Sequence, residues 1–89
     1  MPVYAADPPT ARVAVVLDAL VAVYHRPSGA THLLAAPSPE LLDALAEGPA
    51  DAAELRARLA ALYELDGDGT AMIDARMEEL IVAGLAWRA

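Results

Sequence analysis

His25 and His32 flank the segment Arg26-Pro27-Ser28-Gly29-Ala30 and are the only histidines in 89 residues. Two imidazoles facing each other across a strand pair can begin a metal site. Zinc, however, takes at least three protein ligands, and the chain has no cysteine and no carboxylate close to either ring in sequence. The simpler reading makes both rings polar residues at a solvated hairpin end, with His32 free to contact a peptide. Glu64-Leu65-Asp66-Gly67-Asp68-Gly69 has the look of a calcium loop. Counting from Asp66 puts Ala71 where the glycine belongs and Met77 where the bidentate glutamate belongs; counting from Glu64 leaves Ala75 at the last ligand position. Both registers fail, and the segment reads as a polar loop between helices. Ser28 and Ser38 sit in turn and cap positions, away from any nucleophile elbow, and no glycine-rich phosphate loop is present. Glu40, Asp43, Glu47, Asp51 and Glu54, then Asp74, Glu78 and Glu79, are spaced as solvated helix faces. The polar groups do not converge as an active site requires. We expect no catalytic residue, no metal, no cofactor and no enzymatic activity.

The elements around these residues are easier to read. Val13 to Leu17, Leu20 to His25 and Thr31 to Ala35 are short apolar runs, separated by Asp18-Ala19 and by Pro27-Ser28-Gly29. β-Branched residues at this density, cut by turn residues, argue for strands, and their closeness argues for antiparallel pairing. A three-residue loop with a glycine bulge would set Val23 opposite Leu33, Tyr24 opposite His32 and His25 opposite Thr31. A four-residue loop would shift the register and bring His25 opposite His32.

Everything after the third run looks helical. Ser38-Pro39-Glu40 reads as an N-cap, a proline at the first helical position and an acid at the positive end of the dipole. Leu41, Leu42 and Leu45 form the apolar face, and Gly48-Pro49 ends that helix. A second helix opens at Asp51 with Glu54 three residues on, and carries the stripe Leu55, Leu59, Leu62 and Tyr63. A third, capped by Thr70, carries Ile73, Met77, Leu80 and Ile81 and stops at Gly84; Leu85-Ala86-Trp87 can add a short strand or pack on the core. Prolines 2, 8 and 9 mark residues 1–11 as a flexible arm, leaving 12–89 as the domain. The fold class is α+β: a three-stranded antiparallel sheet followed by three helices, in a winged-helix-like arrangement.

Charge narrows the partners. The formal net charge is −7, and all six basic residues are scattered arginines. A nucleic-acid binder carries a basic stripe to replace phosphate counterions, so nucleic acid is disfavoured. No apolar run reaches the roughly 18 residues a membrane span needs, and the start lacks the marks of a signal peptide, so a cytoplasmic protein is expected. A short sheet with a free edge suits a module that binds a partner.

In the order of these elements the chain resembles the PqqD-like peptide chaperones, which recognise the leaders of ribosomally made peptides destined for modification. The resemblance runs from Arg12 to Trp87. It rests on the strand order ending in Leu33-Leu34, the Leu41-Leu42 helix, the break at Glu47-Gly48-Pro49, the Leu55/Leu59 helix and the closing Leu80, Gly84 and Leu85. VAVYHRPSGATHLL is especially similar to members found beside a protein related to the HPr kinases. Ala35 departs from the common pattern, in which asparagine follows the leucine. The resemblance implies a winged-helix peptide-recognition domain. In it a leader adds as an antiparallel strand along Thr31, His32, Leu33, Leu34 and Ala35, and lies against Ile73, Arg76, Met77 and Leu80 of the third helix. Its implied partners are a precursor peptide and a modifying enzyme or HPr-kinase-related protein. The competing readings are a winged-helix DNA-binding regulator and a structural subunit of a kinase-like complex.

Overall fold

The computed structural model describes residues 2–60 and 69–89. The chain runs β1 (Val3–Ala6), a 3-10 turn at Pro9–Ala11, β2 (Arg12–Leu17), β3 (Leu20–His25), β4 (Ala30–Ala35) and α1 (Ser38–Ala44). A second 3-10 turn at Leu45–Glu47 leads to β5 (Ala50–Asp51), α2 (Ala52–Ala60), α3 (Thr70–Val82) and β6 (Ala86–Arg88). The class is α+β, with three helices and two three-stranded antiparallel sheets among the described residues. Leu62, Tyr63 and the acidic segment 64–68 lie outside the described residues.

The expected meander is the sheet β2-β3-β4. The second sheet, β5-β1-β6, was not expected, and it corrects the reading of residues 1–11 as a flexible arm. Pro2 and Pro8 bracket Val3–Ala6 without interrupting it, and a strand there has partners on both sides. Tyr4 pairs with Ala50 on β5 and with Arg88 on β6, and is fully buried. β1 is therefore part of the folded domain together with the residues from 12 onward.

The hairpin register also differs from both expected pairings. Val23 faces His32, Tyr24 faces Thr31 and His25 faces Ala30, around a loop of Arg26 to Gly29. Gly29 has a positive φ of 72°, and its N–H donates to the His25 carbonyl at 2.8 Å. A one-residue slip turns every side chain of a strand to the other face. With this pairing His32 and Leu34 point inward with Val23 and His25, while Thr31, Leu33 and Ala35 point outward.

Two caps also shift by one residue. Ser38 lies inside α1, whose first bond runs from the Leu41 N–H to the Pro37 carbonyl, and α3 is entered from Gly69 with Thr70 as its first helical residue. Asp51 does cap α2: its Oδ1 accepts from the Glu54 N–H at 2.9 Å. α3 closes in a Schellman turn, with Gly84 N–H on the Ile81 carbonyl and Leu85 N–H on the Leu80 carbonyl; Gly84 takes φ 80°, which a side chain would strain.

Leu41, Leu42, Leu45, Leu55, Leu59, Ile73, Met77 and Leu80 fill the core together with Tyr4. Burying each such aliphatic side chain stabilises the fold by about 2 kcal/mol. The Tyr4 hydroxyl donates to Asp74 Oδ1 at 2.6 Å, which fastens β1 to α3. Burial first, and then the neighbouring Asp74 carboxylate, push the Tyr4 hydroxyl up to about 12. An unfolded tyrosine loses its proton near pH 10. Between those values the unfolded chain releases a proton that the folded chain retains, so stability falls as pH rises. Tyr4→Phe should cost about 1 kcal/mol at neutral pH. In urea titrations the wild-type advantage should hold below pH 10 and shrink between about pH 10 and 12; an unchanged difference across that window would mean the hydroxyl is not held this way.

Candidate peptide-binding groove

β4 is an edge strand, and its outward backbone groups follow from the ladder. The Arg26 N–H donates to the Ala11 carbonyl at 2.8 Å, so Arg26 directs its backbone toward β2. Strand groups alternate, so His25, Val23 and Val21 direct theirs toward β4, where their partners are Ala30, His32 and Leu34. Thr31, Leu33 and Ala35 are left with N–H and C=O groups facing away from the sheet. Six residues long, β4 offers a template that the two-residue β5 and three-residue β6 do not.

A groove of about 250 Å³ lies along this edge, lined by Leu33, Leu34, Ala35, Ala36 and Ser38 on one side and by Arg76, Glu79 and Leu80 of α3 on the other. Five of these eight residues, Leu33, Leu34, Ala35, Ala36 and Leu80, are apolar. At its rim the Arg76 Nη1 donates to both Glu79 oxygens, at 3.0 and 3.1 Å, a partly exposed pair with little net stabilising effect. Two larger depressions, about 520 Å³ beside Asp51 and about 460 Å³ beside Trp87, adjoin the short strands instead. The groove along β4 alone of these three combines a long free edge with a helix wall.

Of the residues expected to bind, Leu33, Leu34, Ala35, Arg76 and Leu80 meet at this groove. Thr31 is exposed farther along the same strand, and His32 is half-buried on the inner face with Nε2 unpaired among the described residues. Ile73 and Met77 are corrections. Both are completely buried in the core and cannot line a groove in this fold. A helical stripe at i, i+4 and i+7 looks the same whether one or two of its rows are covered. Glu79 and Ser38, which the sequence reading did not select, line the groove.

His25 is not at a solvated hairpin end. It is buried, with Nε2 2.8 Å from Asp7 Oδ2 and Nδ1 2.8 Å from Ser28 Oγ. The Asp7 carboxylate accepts from Nε2–H, so in the neutral ring Nδ1 accepts from the Ser28 hydroxyl. Ser28 Oγ in turn accepts from the Ala30 N–H at 3.3 Å. This chain of bonds locks the turn that sets the β4 register. Arg12 reinforces it from β2, donating to the Asp7 carbonyl and to Asp43 Oδ1, both at 3.2 Å. Among the described residues no three histidine or acidic side chains gather as metal ligands, and no helix is long and apolar enough to cross a membrane.

No family model, curated protein or solved structure matches this chain.

On α3, Asp74, Glu78 and Glu79 accompany the single cation Arg76, which is paired with Glu79. Arg88 on β6 is paired with Glu78. A helix so charged repels the phosphate backbone. Titration with random duplex DNA at physiological salt should show no binding in the micromolar range; submicromolar, salt-dependent affinity would restore the regulator reading.

Proposed function

We propose that this chain is a non-catalytic, winged-helix-like peptide chaperone of the cytoplasm, which binds the leader of a ribosomally made precursor by strand addition and presents it to a modifying enzyme. The observation that carries this reading is the outward backbone of Thr31, Leu33 and Ala35 beside a groove walled by α3. The resemblance to PqqD-like chaperones points to the same edge.

Strand addition has a definite geometry here. Peptide residues opposite Thr31, Leu33 and Ala35 exchange main-chain bonds with them, each contributing about 1 kcal/mol net. Peptide residues opposite His32 and Leu34 turn their side chains inward, toward Leu80 and the Arg76–Glu79 pair. Main-chain bonds supply sequence-tolerant affinity, and every second peptide side chain supplies selectivity.

The ladder separates two substitutions that a sequence would treat alike. Leu33→Pro removes a donor that faces the incoming peptide and leaves the β3–β4 bonds intact. Leu34→Pro removes a donor that bonds to β3 and breaks the sheet itself. Calorimetry with the precursor peptide encoded beside this protein should show Leu33→Pro folded, by circular dichroism, but binding about 10- to 100-fold more weakly. Leu34→Pro should lose thermal stability first. A folded Leu33→Pro that binds as tightly as wild type would move the site elsewhere, and a wild type that binds no encoded precursor would leave the subunit reading in its place.

A further inference from the structure

The face of the meander opposite the core carries no charge. Val13, Val15, Leu17, Leu20, Tyr24 and Leu33 all point to it by register, and each is 38–63% exposed. Ala22, Thr31 and Ala35 fill the remaining positions, so the strands form three rows of three. The row near the Arg26 end is Val13, Tyr24 and Thr31; the middle row is Val15, Ala22 and Leu33; the row near the Asp18 end is Leu17, Leu20 and Ala35. Beyond the rows, the two hairpin tips carry opposite charges, Asp18 at one end and Arg26 at the other.

We propose that this open sheet face is the interface of a two-fold dimer, in which a second copy of the chain stacks its own meander face to face with strands antiparallel. Three observations choose the occupant and its orientation. First, a chain of net charge −7 can meet its own copy without opposing carboxylates where it carries none, and this face carries none. Second, the area suffices: closing two such faces removes on the order of 1,000 Å² from water, the threshold for a specific interface. Third, the ends are complementary. A two-fold axis across the strands sets the Asp18 tip of each copy over the Arg26 tip of the other, whereas an axis along the strands would set Asp18 on Asp18. Only the antiparallel stack satisfies both ends at once.

The same axis places the middle row over itself, with Ala22 on Ala22 at the centre, so the sheets can approach to the usual separation of about 10 Å. Tyr24 then lies over Leu20 of the other copy, and Val13 over Leu17. β4 stacks on β4, which leaves its outer backbone edge and the α3 wall accessible on both copies. The dimer does not depend on the peptide-binding reading, and peptide affinity plays no part in its test.

Sedimentation of the full chain from about 1 μM to about 1 mM should show reversible dimerisation. Val15→Glu places a carboxylate at the two-fold centre in both copies and should weaken the dimer at least about 100-fold while circular dichroism remains native. Val16→Glu, one residue along and on the opposite face, is the control and should leave the dimer intact. Arg26→Asp should weaken it by opposing like charges, and adding Asp18→Asn should recover part of the loss; Asn keeps the turn, where residue 18 has φ 49°. A wild type monomeric throughout, or a dimer that survives Val15→Glu in the folded protein, overturns the interface. Arg26→Asp without rescue overturns the antiparallel orientation.

Discussion

The bond pair on His25 decides more of this structure than its size suggests. Its ring spans from Asp7, just beyond β1, to Ser28 in the turn before β4, with both contacts at 2.8 Å. Through Ser28 it closes a four-residue loop and sets β4 one residue away from the pairing that a three-residue loop would give. That single step determines which side chains of β4 meet the core. It sends Leu34 inward to the α3 groove and Leu33 outward to the open face. It also ties residue 7 to the hairpin, so the chain leaving β1 has a fixed path into β2. A buried polar network of this kind rigidifies the turn when complete, and losing one member leaves its partner unsatisfied at a cost of about 1–3 kcal/mol.

β1 supplies the second constraint. It lies between β5 and β6, and Tyr4 reaches from it to Asp74 on α3. The groove wall is therefore held from behind: Ile73 and Met77 anchor α3 in the core, Tyr4 fixes its start, and Arg88 of β6 pairs with Glu78. Arg58 does similar work at the other end of the core, donating to the Ala44 and Gly48 carbonyls at 3.0 and 2.7 Å where α1 ends. With the helix fixed on that side, the rim residues Arg76 and Glu79 face β4 across the groove.

The parts of this fold that were legible in the sequence are those encoded locally. The three strands of the meander fall within a residue of the apolar runs, because β-branched residues and turn formers act over a few positions. The Asp51 cap and the Gly84 stop were legible for the same reason. β1 was not, because four residues between prolines carry no pattern of their own and their partners, Ala50–Asp51 and Ala86–Arg88, are far along the chain. The hairpin register was missed by one residue because the loop spans four residues, Arg26 to Gly29, and one of the contacts on its first flanking residue, His25, comes from Asp7, eighteen positions away. At the site, periodicity grouped Ile73, Met77 and Leu80 on one helix face, but only packing shows that the first two are sealed and the third reaches the groove wall. The resemblance points to β4, which is an edge strand of its sheet; the ladder shows which of its residues face outward.

The two surfaces converge on β4 for a geometric reason. Backbone direction and side-chain direction both alternate with a period of two along a strand. The residues that offer main-chain groups to the free edge, Thr31, Leu33 and Ala35, are therefore the same ones that place side chains on the open apolar face. His32 and Leu34 do neither; they bond to β3 and face inward. An added strand would continue both alternations, putting half of its side chains in the α3 groove and half level with the open face. A peptide bound at the edge would then widen the apolar face from three strands to four. If a peptide with apolar side chains on that face occupies the edge and two copies stack there, the two events would share one strand, and by linkage each would favour the other by an equal amount.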